Sequence, residues 1–215
     1  LGLCKLFWPR LFNSCGKGTV FGTGVKLMQP GRIHLGRRVV ISDNCILDAR
    51  NQDSPQAIEL GDDVMLSHGV MISCKDGNIR LEEHTGVGAY TVIQSTRGNP
   101  VTVGADTILG PRCYITGGGN YNTDRLDIPI ARQGLKEMGG TQIGAGAWLG
   151  AGVSVLGGIT IGRDSIVGTG SVVSRSLPEL SISVGVPARV VRSTQRVEVD
   201  HGTALVGRCA RDASV

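Results

Sequence analysis

Few side chains in this chain can move a proton or attack a carbon near neutral pH. The histidines are His34, His68, His84 and His201. The six cysteines, Cys4, Cys15, Cys45, Cys74, Cys113 and Cys209, form no C-x-x-C pair and no metal-ligand spacing. Neither a dithiol redox site nor a bound metal is expected from them. A third group stands close together in one segment, 116–140, which reads TGGGNYNTDRLDIPIARQGLKEMGG. It carries Asn120, Asn122, Asp124 and Asp127 and contains no histidine. The carboxylates of Asp124 and Asp127 suit a general base or a grip on a ligand's hydroxyls, and equally suit a solvated loop. The two amides can hydrogen-bond but cannot accept a proton.

Whatever these residues do, a repeat must position them. An aliphatic residue recurs at every sixth position, in groups of three: Leu35, Ile41, Leu47; Leu60, Leu66, Ile72; Leu81, Val87, Ile93. The pattern continues with Val103, Leu109, Ile115; Ile143, Leu149, Val155; and Ile161, Val167, Val173. Neither a helix of period 3.6 nor a simple strand of period 2 sustains a period of six. Four residues after each of the first two members stands a small residue, from Val39 and Cys45 to Ser165 and Ser171. Immediately after those members stands Gly in nine of twelve cases, the others being Ser42, Ser67 and Glu82. Three constraints that coincide in this way make a repeat architecture the economical reading.

The physical picture is a triangular coil of 18 residues built from three flat six-residue strands. Stacked coils pair as parallel sheets, the aliphatic residue fills the narrow interior, and the small one shares it beside a corner. Cys45 and Cys113 then read as core fillers. Group starts measure the insertions. Ile143 to Ile161 is 18, a bare coil, while Leu35 to Leu60 is 25, Leu60 to Leu81 is 21 and Leu81 to Val103 is 22. Val103 to Ile143 is 40, so about 22 extra residues leave the prism after Ile115. Long insertions without a period of their own tend to be functional. The expected organisation is an N-terminal arm and irregular first coil over 1–34, the repeat over 35–175 with its loop at 116–140, and a cap over 176–192. A polar tail, 193–215, has a composition that allows disorder.

On this frame His34 points outward from a flat strand, and His68 and His84 fall at corners. A solvated turn residue is the simple reading of the latter two; His68 is the one with a chance of reaching a site between subunits. Trp148 precedes an interior Leu and so faces out of the prism, as do Met65, Met71 and Tyr114. That is too much apolar surface for a lone prism, so a homotrimer is expected.

Composition excludes two classes of function. Lys plus Arg number 22 against 18 Asp plus Glu, a formal charge of +4, with no basic run beyond Arg37-Arg38. No nucleic-acid groove follows from that. No signal peptide is visible and no apolar run approaches the roughly 20 residues of a membrane span, so no membrane span is expected and the cytoplasm is the expected location. Gly, at 33 residues, is about twice its usual share without a collagen period, which leaves turns as its use.

The repeat, with the ending TQIGAGAWLGAGVSVLGGITIGRDSIVGTGSVVSRSLP followed by SVGVPARVVR, resembles the hexapeptide-repeat acyltransferases, most closely the sugar and polysaccharide O-acetyltransferases. The resemblance covers about residues 35–173. It implies an all-β, left-handed parallel β-helix, an exception to the usual right-handed crossover. It further implies a trimer with acetyl-CoA as co-substrate in a groove between prisms. It sets Trp148 beside the loop and that groove, and runs the pantetheine past Gly150, Gly168 and Thr169. Arg189 and Arg192, after the cap, become candidates for the CoA phosphates, since Arg suits phosphate recognition. The family's loop carries a histidine as general base; here Asn120 or Asn122 stands where it is usually found. Two readings follow. One is a CoA-dependent acyltransferase, O-acetylating a sugar or polysaccharide hydroxyl with an unidentified base. The other is a binding or scaffold trimer that keeps the groove and has lost the base. A carbonic anhydrase on the same prism would need three converging histidines, and His68 and His84, 16 residues apart, do not supply that family's spacing.

Overall fold

The computed structural model describes residues 8–51 and 54–193. It is a left-handed parallel β-helix whose three faces are parallel sheets of seven, nine and seven strands. One coil shows the plan: Thr141–Ile143 lies in the first face, Trp148–Leu149 in the second, Ser154–Val155 in the third, and Thr160–Ile161 returns to the first. Each strand pairs in parallel with its equivalent one coil away, as Ile143 does with Ile161 and Leu149 with Val167. The one antiparallel pairing among the named strands joins Ser181–Val184 to Arg189–Ser193 and closes the C-terminal end of the second face.

All eighteen residues of the six-residue period are buried, and so are the twelve small ones. The small residues do more than leave room. Thr91 Oγ1 donates to the Gly110 carbonyl at 2.9 Å, Thr107 Oγ1 to Gly144 at 3.1 Å, and Cys113 Sγ to Gly150 at 3.2 Å. A hydroxyl or thiol here satisfies a corner carbonyl of the next coil, which explains why polar Thr and Ser are tolerated in a dry interior. The glycine that follows an interior residue is forced by stacking: a Cβ on Gly88 would lie 2.4 Å from the backbone nitrogen of Pro111 in the next coil.

The prism begins earlier than the aliphatic period suggested. Ser14–Cys15, Val20–Phe21 and Lys26–Met28 form a coil paired to the one above, with Cys15, Phe21 and Leu27 opposite Leu35, Ile41 and Leu47. Phe12 and Trp8 pack on Phe21, with ring centroids 5.4 and 4.9 Å away, and plug the end of the interior. The tail from 194 onward and His201 lie outside the described residues.

The outward ladders of the faces differ. The first is polar: Ser14, His34, Glu59, Arg80, Thr102, Gln142 and Thr160 stand in register. The second is apolar, running Val20, Val40, Met65, Gly86, Ile108, Trp148, Ile166 and Ile182. The third carries Ile46, Met71, Val92, Tyr114, Ser154 and Val172. Trp148 is 53% exposed and Met65 49%. Among the described residues no helix is long and apolar enough to cross a membrane.

Burial makes the interior cysteines unreactive. It raises the thiol pKa values of Cys45 and Cys113 above the usual range, and pushes Cys74, whose Sγ donates to the Ala57 carbonyl at 2.9 Å, up to about 12. A raised thiol pKa favours the neutral form in the folded state. The stability it contributes is complete below the ordinary thiol pKa near 9 and is lost as pH rises from there toward 12. Iodoacetamide at pH 8.5 should therefore leave Cys45, Cys74 and Cys113 unmodified in the native protein and alkylate all three in denaturant, read by mass spectrometry. Native alkylation of any of them at the rate of a free thiol would contradict the packing described.

Candidate functional site

Every insertion in the prism leaves at the same edge, between the third and first faces. The extra residues that lengthen the coils follow Leu47, Ile72, Ile93 and Ile115, the interior residues of four third-face strands. Two of those strands are extended by them, Met71–Lys75 and Val92–Thr96, each five residues long. A ledge results along one edge, and the long 116–140 loop rises from it.

The loop is fastened at its root by Asn99, which is fully buried. Asn99 Oδ1 accepts the Met138 N–H at 2.6 Å, while Nδ2 donates to the Arg97 carbonyl at 2.9 Å and the Lys136 carbonyl at 3.4 Å. The outgoing chain passes so close that a Cβ on Gly118 would lie 2.4 Å from Asn99 Cγ, and the returning Gly140 is similarly pressed on the Pro100 carbonyl. Within the loop Gln133 acts as a strut, its Nε2 donating to the carbonyls of Arg125 at 2.6 Å and Ile128 at 3.1 Å. Tyr121 and Leu135 form an antiparallel bridge across the loop.

Two cavities flank this structure. One, of about 520 Å³, is enclosed by the loop itself and lined by Asn120, Asn122, Asp124, Ile130, Lys136 and Met138 among others. The second, of about 490 Å³, is a groove on the third face beneath the loop. Ser73, Gln94, Thr96 and Thr116 supply its polar floor, Tyr114 and Leu156 its apolar wall, and Arg50 and Lys75 its far end. Gly119, Asn120 and Tyr121 line both cavities, so this tripeptide is the partition between them.

The candidate residues separate accordingly. Asn120, Asn122 and Asp124 are brought together. Asn120 is exposed, its Nδ2 3.3 Å from Met138 Sδ, whereas Asn122 Nδ2 is spent on the Gln133 carbonyl at 3.1 Å. Asp127 points elsewhere: Arg125 Nε donates to it at 3.0 Å and holds its carboxyl below the usual carboxylate range. A carboxylate kept charged in that way is a weakened proton acceptor. His68 stands at the opposite edge, between the second and third faces, edge-on to Tyr90 with centroids 5.3 Å apart. Gly150, Gly168 and Thr169 share that edge, and Trp148 lies out on the second face. Arg189 and Arg192 sit on the closing antiparallel strand. Within one protomer none of these seven lines either cavity. His84, 3.0 Å from Asp106 and 3.6 Å from Asp63, belongs to a surface charge ladder at the third edge. Among the described residues no cluster of three or more His, Cys, Asp or Glu is placed to hold a metal.

Sequence reasoning missed the groove floor, above all Arg50, Ser73, Lys75, Gln94 and Thr96. The signal was present in the coil spacings of 25, 21 and 22, because the surplus over 18 falls after third-face residues each time.

Residues 140–175 match the family model described as bacterial transferase hexapeptide (six repeats). A Mycobacterium tuberculosis protein assigned as an acetyltransferase is 32% identical over 138 residues, covering 64% of this chain and 45% of that protein. An Escherichia coli K12 protein, WbbJ, assigned to lipopolysaccharide biosynthesis as an O-acetyl transferase, is 33% identical over 121 residues, 54% of this chain and 61% of its own length. The chain thus spans about half the length of these relatives. Among solved structures, the Bacillus cereus N-acyltransferase AntD, in complex with dTDP-4-amino-4,6-dideoxyglucose and coenzyme A, superposes with a TM-score of 0.61 at 20% identity. That superposition covers 90% of this chain and 89% of AntD, and it speaks to the fold alone.

The site's geometry makes Asn99 a positioning residue for the loop. Asn99→Ala leaves the Met138 N–H and the Lys136 carbonyl without their partner, a local cost of about 1–3 kcal/mol. Hydrogen exchange at Met138 and tryptic cleavage after Lys136 should both quicken on the order of tenfold or more, with little change elsewhere in the prism. Unchanged protection of the loop would show that Asn99 does not fasten it.

Proposed function

We propose that this chain, a carrier of the bacterial transferase hexapeptide repeat on a left-handed β-helix, transfers an acyl group from coenzyme A to a hydroxyl of a sugar or polysaccharide. One observation carries the reading: the partition Gly119-Asn120-Tyr121 faces a groove in which the hydroxyl and amide groups of Ser73, Gln94, Thr96 and Thr116 stand against apolar Met71, Tyr114, Leu135 and Leu156. Such a mixed lining suits a saccharide, whose hydroxyls need hydrogen-bond partners and whose C–H faces pack on apolar side chains. The acetyltransferase assignments of the relatives, and the coenzyme A and sugar nucleotide named with AntD, support the same direction.

The reaction is a direct displacement. The acceptor oxygen attacks the thioester carbonyl, backbone N–H groups steady the tetrahedral oxyanion, and the thiolate leaves. The acceptor proton must go to a base, and no histidine stands in the loop. Asp124 lines the loop cavity on the far side of the partition from the groove, with no ion-pair partner among the described residues, and we assign it to take the proton of an acceptor hydroxyl that reaches past Asn120. Asn120, exposed on the partition, can donate a hydrogen bond to the acceptor or to the developing oxyanion. The scaffold alternative keeps one specific observation in its favour, the same missing histidine.

The apolar second and third faces suit a trimer, the second face of each prism covering the third of the next, with the polar first face left to water. This heterologous contact closes on itself after three copies. It would lay the face carrying Trp148 against the face carrying the groove, giving Trp148, Gly150 and Thr169 a route to a donor site. Light scattering at micromolar concentration should return three times the chain mass. A 22.5 kDa species would rule the arrangement out.

Calorimetry with coenzyme A should give a micromolar dissociation constant, and Arg189→Ala with Arg192→Ala should weaken it. With acetyl-CoA and a saccharide acceptor, release of free thiol should fall by roughly 10²–10⁴-fold in Asp124→Asn. Asn120→His, which places an imidazole on the partition, should restore or raise the rate, with a dependence on a group titrating near pH 6.5. If coenzyme A gives no heat at millimolar concentration, the transferase reading is lost. If it binds but no acceptor supports turnover even in Asn120→His, the scaffold reading stands.

A further inference from the structure

The groove beneath the loop is uncharged along its floor but not at its far end. Its charged lining residues are Arg50 and Lys75, and no carboxylate lines it. Each stands two residues beyond a paired couple, Asp48 and Ser73, so the two cations emerge side by side from adjacent strands. Like charges placed side by side repel; Asp48 offsets the charge of Arg50, which lies just past the end of its strand, and leaves that of Lys75 to be answered.

Arg50 is also held from behind. Its Nε donates to Asp48 Oδ1 at 2.8 Å and its Nη2 to Oδ2 at 2.7 Å, and the Ser73 hydroxyl lies 3.4 Å from Oδ2. The Asp48 side chain is 3% exposed while that of Arg50 is 60% exposed. A buried carboxylate therefore fixes the plane of a guanidinium whose outer edge is offered to the groove. Arg in this geometry presents paired donors to a carboxylate or phosphate, and fixing it beforehand reduces the entropy lost on binding. Lys75 adds a second, uncompensated charge.

The distance is informative too. Thr116, at the loop root, is one strand from Gln94, two from Ser73 and three from Asp48. At about 4.8 Å per strand the two cations stand roughly 10 and 14 Å from the loop. One sugar ring is too short to reach from there to Asn120.

We propose that Arg50 and Lys75 form an anion-recognition subsite for the acceptor, which is an acidic saccharide or glycosyl phosphate bearing its negative charge about 10–14 Å from the group that is acylated. The inference rests on the acyl-transfer reading for the role of the loop end, but the subsite itself is a binding claim and is tested as one. The shared chemistry is an anion joined to a sugar; a uronate carboxylate and a nucleotide-sugar diphosphate are its two sources.

Calorimetry on the full chain with three probes separates them: a glucuronate-containing trisaccharide, uridine diphosphate glucose, and neutral maltotriose. At least one anionic probe should bind at low-millimolar concentration or tighter, and more tightly than maltotriose. Arg50→Gln and Lys75→Gln should each weaken it about tenfold, as should 0.5 M salt, while Arg80→Gln on the first face should not. Lys75→Gln leaves the Asp48–Arg50 pair intact, so it reads the subsite even if Arg50→Gln disturbs the fold. The affinity for coenzyme A should be the same in all variants. Three results overturn the proposal: an anionic affinity unchanged by both variants, maltotriose binding as well as either anion, or neither anion binding at 10 mM. A loss of coenzyme A affinity in Lys75→Gln would also overturn it, by assigning the cations to the donor. Wild-type protein that binds an anionic probe but no coenzyme A would instead sink the transfer reading and leave the subsite standing.

Discussion

Coil-on-coil stacking is the constraint from which the rest of this molecule follows. Each strand must lie in register on its equivalent in the coils above and below, because its backbone N–H and carbonyl groups have their partners there and nowhere else. A triangular interior is too narrow for two large side chains at one level, so one aliphatic residue per strand fills it and a small residue takes the corner. The corner carbonyls would be left unpaired in a dry interior, and Thr, Ser or Cys at the small position answers them. Glycine beside the interior residue is required by the same closeness, as at Gly88. The composition that looked odd, rich in Gly and poor in aromatics, is the price of this geometry.

Stacking also decides where function can sit. An insertion inside a strand would shift the register of every coil above it, so extra residues must leave at a corner. In this chain they leave at one corner only, after the third face. Stacked insertions support one another: the Asp76 N–H donates to the Arg50 carbonyl, Asn51 Nδ2 donates to the Gly77 carbonyl at 2.7 Å, and Asn99 ties the longest loop to the insertion of the coil before it. The ledge thereby gains the rigidity of the prism, which a lone loop of about 22 surplus residues would not have. Polar side chains on a rigid ledge are already oriented when a ligand arrives.

Legibility from sequence tracks how local each constraint is. The period of six repeats the same interior demand eighteen times, and the prism from Leu35 to Val173 could be read residue by residue. The first coil was harder, because Cys15 and Phe21 occupy interior positions where an aliphatic residue was sought. Its membership rests on pairing with Leu35 and Ile41, which is not visible in types alone. The long loop was legible as an insertion, and Asn120 and Asp124 emerge on its cavity. Asp127 was kept beside Asp124 although Arg125, two residues away, ties it up. Arg50 and Lys75 went unread for another reason. They are 25 residues apart, and only the rule that all insertions share one edge brings them together. His68 illustrates the converse: its corner was assigned, but a corner has three possible edges, and the loop uses a different one.

The three edges and faces are chemically distinct, and that asymmetry ties assembly to site. A prism with three equal faces could associate in many ways. Here the first face is polar from Ser14 to Thr160, while the second and third are apolar enough to need cover. In the proposed trimer these two adjacent faces, on a body of triangular section, meet in a contact that closes after three copies. The edge between them points to the axis of such an assembly and carries His68, Tyr90 and Arg112, well away from the loop. In that proposed arrangement the edge with the ledge would lie at the outer mouth of the contact, open to solvent. The loop also leaves apolar side chains uncovered: Leu126 is fully exposed, and Ile130 and Leu135, which line the two cavities, are about half exposed.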